Sequence, residues 1–367
     1  MNNKVSSVQV GMLFSLIISS MYLGLNDILI LRKSANNTLI AIIIGSIIGI
    51  IPVLMYLKIN NYYPSLNIYQ KNVKLFGKVL GNVFNVFFVL IFIISYTIAI
   101  RSTTSFLSSK YLHLTPFFVI GILVVLTTLV ISFKRLETIS RISQITFVII
   151  VILVIYIEFS LINYVELNNI FPMLTNSNNF YSILNGSLYY AGNCGLMSIL
   201  LLSIKKDYIK DPKNYSKSII IFYILTNISL VLVTFYVISC LGYKMSYIFK
   251  YPEYILLKKI NISNNDLRIE NLLSFRWIFY LIALANISLH GLITYFKETK
   301  IKTKKQSVII ILISISCLFI ATTVLQNTSI FLVIMEHYFM LIFIIPVFIV
   351  FLIIFIRCLF IPKSVRK

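Results

Sequence analysis

The sequence predicts an all-α integral membrane protein. It reads as a single polytopic membrane domain over residues 1–367, with ten transmembrane helices in a 5+5 inverted repeat and with helices 1 and 6 broken. Three observations carry that expectation. Of the 367 residues 59% are hydrophobic and only 12% charged, with a mean hydropathy of +0.94, whereas soluble domains carry about 25% charged residues. Ten apolar runs approach or exceed the length of about 20 residues that crosses a hydrocarbon core. Two clusters of small and polar residues, Ser19 to Gly24 and Tyr190 to Gly195, fall midway through the first and sixth runs.

The runs occupy 7–31, 38–58, 80–108, 116–133, 144–165, 183–204, 218–242, 272–296, 306–325 and 333–361. A turn around 326–332 leaves nine or eleven crossings as alternatives. Because five is odd, the second half (183–361) enters the membrane with the opposite orientation to the first (7–165), and span 1 pairs with span 6 across an axis in the membrane plane. Pro52 and Pro346 are expected to kink their helices. Three connections exceed the rest. Residues 59–79 set Leu66, Ile68, Tyr69, Val73, Leu75 and Phe76 among Lys71, Lys74 and Lys78, the pattern of a short amphipathic helix on the inner leaflet. Residues 166–182 carry turn formers around Asn168, Pro172 and Asn176. Residues 243–271 mix Tyr243, Tyr247, Phe249, Tyr251 and Tyr254 with charges, which suits interfacial anchoring or a small external lid.

A net charge of +21 raises nucleic acid or anionic lipid as partners. Its distribution decides. With the N-terminus in the cytoplasm, 22 of the 32 Lys and Arg fall in inner segments and eight in outer ones, with Arg101 and Arg276 inside spans. This positive-inside bias places both termini in the cytoplasm of a multi-pass cell-membrane protein and suits an anionic inner leaflet. No soluble segment interleaves basic residues with aromatics, so nucleic acid is discounted. Cys194, Cys240, Cys317 and Cys358 all fall in spans without CxxC spacing, which argues against a disulfide framework or a zinc site. The sequence has no HExxH, P-loop, GxSxG or dinucleotide fingerprint. No catalytic residue, metal or cofactor is expected.

A helix that unwinds in lipid frees N–H and C=O groups, which stay only where the backbone is buried or lines a wet cavity. The positive end of a half-helix suits a carboxylate, and the carbonyl end suits an ammonium or a cation. A free amino acid offers both groups. The candidate ligand-binding residues are therefore Ser19, Ser20, Met21, Tyr22 and Gly24 in span 1 with Tyr190, Gly192, Asn193 and Gly195 in span 6. Close helix packing through small residues is the competing explanation. Among ionisable groups in spans, Arg101, Glu158, Arg276 and Glu336 lie toward the outer side, as does Asp27 near Arg32 and Lys33. They either line a polar vestibule, with Glu158 or Glu336 as a proton site, or snorkel to the interface. His290 is a proton acceptor or a hydrogen-bonded helix contact.

Several segments resemble one family. Val5-Ser6-Ser7-Val8-Gln9 is similar to the opening of the spore germination permeases, the B subunits of nutrient germinant receptors in the amino acid–polyamine–organocation superfamily. Tyr63-Pro64-Ser65-Leu66 with Leu75-Phe76-Gly77-Lys78-Val79-Leu80-Gly81 resembles that family's loop between spans 2 and 3. Leu114-Thr115-Pro116 resembles its TP at the start of span 4, Arg135-Leu136-Glu137-Thr138-Ile139-Ser140-Arg141 its G-x-E-x-I-x-R segment, and Arg101 its arginine in span 3. Asn169-Ile170-Phe171-Pro172 and Ile269-Glu270-Asn271 add shorter likenesses. The resemblance implies a LeuT/APC-like fold, a germinant receptor subunit of the spore inner membrane, a small nutrient ligand, and partner subunits of the receptor A and C types. One departure stands out. Ser20-Met21-Tyr22 and Asp27 take the places of the family's G-x-G and the proline after it, so Tyr22 fills volume where a ligand would sit. A proton- or sodium-coupled amino acid transporter is the alternative, and a polytopic envelope enzyme or polysaccharide flippase a third class.

Overall fold

The computed structural model describes residues 4–23, 26–174, 179–259, 269–299 and 301–360. Its α-helices in chain order are α1 (Ser7–Tyr22), α2 (Asp27–Ser34), α3 (Thr38–Ile48), α4 (Ile50–Asn61), α5 (Ile68–Lys110), α6 (Phe117–Ser132), α7 (Leu136–Leu161) and α8 (Asn179–Cys194). After a 3₁₀ stretch, Leu196–Ser203, come α9 (Tyr215–Leu241), α10 (Tyr243–Ser246), α11 (Pro252–Lys259), α12 (Ile269–Glu298), α13 (Thr303–Phe319), α14 (Thr328–Val333) and α15 (Ile345–Leu359). Among the described residues the one β-type pairing is an isolated bridge between Val5 and Ile209.

Capping residues explain two of the helix starts. Ser6 Oγ accepts from Gln9 N while Gln9 Oε1 accepts from Ser6 N, a reciprocal box that opens α1. Asn67 and Gln70 do the same for α5. Gly77, at φ +79°, bends α5 between an amphipathic first arm and the apolar remainder, a conformation that side chains with a Cβ rarely adopt. The helix expected on the inner leaflet is that first arm, where Lys71 Nζ donates to the carbonyls of Ile59 and Asn60 at the end of α4.

Among the described residues seven helical stretches are long and apolar enough to cross a membrane: Asp27–Asn61, Ile68–Lys110, Leu136–Tyr164, Tyr215–Leu241, Phe275–Glu298, Thr303–Val324 and Met340–Leu359. Ser7–Tyr22 and Phe117–Ser132 are apolar but shorter. The difference from ten has local causes. Span 1 is divided after Tyr22, and its second part runs into span 2 through a 3₁₀ turn at Ala35–Asn37. Span 6 passes from α to 3₁₀ winding at Gly195. Large apolar side chains such as Leu123, Val130, Ile152, Phe159 and Leu341 are exposed around the bundle, as lipid contact requires.

Helix α1 runs through the middle. It packs against α7, α8, α9 and α12, while α2 and α3 lie on α8, and α5 has its most extensive contact with α12. The two weak stretches read from the sequence are therefore neighbours.

Candidate functional site

The first weak stretch breaks, a little later than expected. Helical winding persists through Tyr22, where Ser20 Oγ bonds back to Ile17 O at 2.6 Å. Leu23 then turns extended (φ −69°, ψ 130°), and winding resumes at Asp27. Gly24 lies outside the described residues. In span 6 no extended stretch appears: α8 runs through Gly192 and Asn193, and the winding tightens after Gly195. A Cβ at Gly195 would sit 1.9 Å from Gly49 O, so two backbones meet there.

Asn26 joins the two spans. Its Nδ2 donates to Met21 O, in the last turn of α1, and to Asn193 Oδ1 at 2.9 Å. The Tyr189 hydroxyl lies 2.8 Å from Asn26 Oδ1 and 3.0 Å from Met335 O, and Asn193 Nδ2 donates to Tyr189 O at 2.8 Å. All five residues are buried. Beside this network the Tyr22 hydroxyl bonds Thr234 Oγ1 at 2.6 Å and its ring meets Tyr190 edge-on at 5.3 Å, while the Tyr190 hydroxyl donates to Asn227 Oδ1 at 2.8 Å.

A cavity of about 350 Å³ opens on the other face of α1, bounded by α7, α9 and α12. Its polar lining is Ser15, Ser19, Glu158, Thr226, Ser229 and Tyr280. Glu158 Oε1 is buried there with no hydrogen-bond partner among the described residues. The volume falls within the range of small-molecule pockets. Gly192 lies elsewhere: a Cβ on it would meet Ile344 at 2.5 Å, and it borders an apolar cavity of about 300 Å³ with Pro52, Leu188 and Phe348.

The structure thus brings together Met21, Tyr22, Tyr190 and Asn193, leaves Ser20 bonded within its own helix, sets Ser19 on the cavity, and turns Gly192 away. The remaining charged residues scatter. Arg276 is buried against Glu253, whose other oxygen accepts from Trp277 Nε1 at 3.2 Å. It does not snorkel. Arg101 is 1% exposed and donates to Leu325 O at 3.0 Å and Thr328 Oγ1 at 3.2 Å. Glu336 pairs with Arg32 at 3.2 Å, and Lys33 Nζ donates to its carbonyl at 2.7 Å. His290 is half-buried on α12, with no side-chain hydrogen bond among the described residues. Sequence reasoning missed Asn26, Tyr189 and Glu253. For Asn26 a signal existed, an amide two residues beyond Gly24 in an apolar run.

Exposed apolar faces around a polar, broken centre define a multi-pass, permease-type membrane protein. The family model described as "Spore germination protein" matches residues 7–330, and the chain belongs to that family. No curated protein matches significantly. Among solved structures, a mutant form of the manganese transporter of Eremococcus coleocola is similar at a TM-score of 0.57 and 15% identity over 96% of this chain and 76% of that one. At that identity the likeness is one of fold.

Proposed function

We propose that this protein is the permease-like subunit of a nutrient germinant receptor, binding a small zwitterion of the amino acid class at mid-membrane and passing the binding event to partner subunits. The carrying observation is the break in helix 1 stitched to span 6 by Asn26 and Asn193. Asn26 holds the Met21 carbonyl beside the break, so a ligand ammonium can exchange with it, while the start of α2 already carries the Asp27 carboxylate on Ile28 N. The cavity at Ser19 supplies space, and the free Glu158 oxygen supplies a second acceptor for an amine. A ligand that prefers one packing of this junction shifts the whole bundle by that difference in affinity. In this reading the chain makes ten crossings in two inverted five-helix halves with both termini cytoplasmic, in the spore inner membrane, beside subunits of the receptor A and C types. Spans 4 and 6 are the crossings with short or mixed winding.

Thermal melting of the purified full chain with each of the common L-amino acids tests this reading. At least one should raise the midpoint saturably, and Asn193→Ala should weaken that amino acid roughly 5- to 100-fold, as loss of a buried hydrogen-bond partner does. No response to any of them would sink it. The likeness in fold to a transporter favours a second reading, coupled amino acid transport. Counterflow in liposomes holding this chain alone would select it.

A further inference from the structure

A second polar locus lies away from the helix break, where the end of α5 meets the segment between α10 and α11. Arg101 and Lys250 face one void of about 10 Å³, closed by Ile28, Ser102, Tyr251 and Phe331. A void of that size holds a single water-sized occupant. Arg101 stacks its guanidinium on Phe331 at 4.0 Å and uses Nε and Nη2 on Leu325 O and Thr328 Oγ1, leaving Nη1 without a hydrogen bond among the described residues. Lys250 Nζ spends one donor on Ser105 Oγ at 2.8 Å. Ser102 Oγ is buried with no hydrogen-bond partner among the described residues. Three kinds of spare donor therefore border one small space.

Charge points the same way. Lys110 stands over Tyr254 at 4.5 Å and Tyr251 at 5.6 Å, adding a third cation. On the facing elements the acidic groups are Asp27 of α2, next to Ile28, and Glu253 of α11, already paired with Arg276 of α12. Buried cations side by side disfavour each other unless an anion joins them. We propose that Arg101, Lys250 and Ser102 form a binding site for one monatomic anion of chloride size. Guanidinium, ammonium and hydroxyl donors converge on it, and the void excludes a carboxylate-bearing nutrient. Ile28 belongs to the first turn of α2, so an occupied site fastens the outer half of the broken helix to α5.

Trp277, the single tryptophan, lies 5.2 Å from the Tyr251 ring, tilted 50° to it, and reports on this region. The full chain in detergent is melted by its fluorescence while sodium gluconate is replaced by sodium chloride at constant ionic strength, at a pH below about 7 where Lys250 is charged. Chloride should raise the midpoint saturably. Lys250→Met should weaken the apparent affinity by on the order of tenfold or more, the loss of a charged hydrogen bond, and Ser102→Ala by less. Retention of radiolabelled chloride by the unmutated protein gives a second measurement that needs no variant. Equal midpoints in the two salts, an unchanged chloride response in Lys250→Met, or no retained chloride would each overturn the site.

Discussion

The two ends of the helix bundle are closed by different chemistry. At the end holding the chain's N-terminal segment, polar groups of both signs form a lattice. Ser7 N and Oγ donate to Asp211 at 2.8 and 2.5 Å, and Val5 exchanges backbone hydrogen bonds with Tyr208 and Lys210. Glu298 accepts from Asn67 and Gln70 and lies 4.0 Å from Lys205. At the opposite end Phe106, Tyr251 and Trp277 pack edge to face, cations sit on aromatic rings, and the Arg276–Glu253 pair is buried. The first end is half-exposed, so each bond adds little. The second is dehydrated, with Arg101, Arg276 and Glu253 all buried. The bundle therefore has a soft side and a stiff side.

The largest effect should come from breaking the stiff side. Glu253→Gln leaves Arg276, 1% exposed, without its counter-charge and should destabilise by about 3–5 kcal/mol. Replacing both partners with apolar residues, Glu253→Leu with Arg276→Met, should recover most of the loss. Denaturant melts in detergent distinguish the two. If the single change costs no more than the double, the pair is not what stiffens that end.

Between the ends, Gly195→Ala tests how firmly the helices join. Its new Cβ would strike the Gly49 carbonyl, a backbone atom with little freedom, and the expected loss is about 1–3 kcal/mol. Hydrogen exchange should then quicken at both ends alike. The soft side gives a smaller response. Asp211→Ala removes both bonds to Ser7 and should cost about 1 kcal/mol, with faster exchange confined to the segments around Val5 and Ile209. Faster exchange around Trp277 as well would mean that the ends are coupled more tightly than their separate chemistry implies.

The same contrast explains what was legible in the sequence. Hydropathy marked the crossing segments, because lipid contact imposes an apolar surface on each helix separately. Small residues marked the region of the break in span 1 but not its register: a serine can bond back to a carbonyl within a helix, as Ser20 does to Ile17, and α1 stays wound through Tyr22. Tyr22 fills space by bonding Thr234, 212 positions away, a partner that no local pattern reveals. Gly192 and Asn193 are adjacent on a helix, about 100° apart in projection, so both could not face α1. Only Asn193 does. The Glu253–Arg276 pair was hidden because one partner belongs to an outer connection and the other to a span. Tyr251 and Tyr254, readable as an anchor or a lid, are buried against protein.

The last test concerns Lys250, and its sign separates the ends. Burial, then the charges of Arg101 and Lys110, lower its pKa from the ordinary 10.5 to about 7. Above about 7 the folded chain releases a proton that the unfolded chain keeps until 10.5. Stability should therefore rise with pH through that window, and the penalty for a charged Lys250 is complete below it. Lys250→Met should flatten this component of the curve. Chloride at Arg101 and Lys250 favours the protonated lysine, so it should shrink the slope from the low-pH side in the unmutated protein and leave the variant unmoved. Asp211→Ala, at the half-exposed end, should lower the curve without removing that slope.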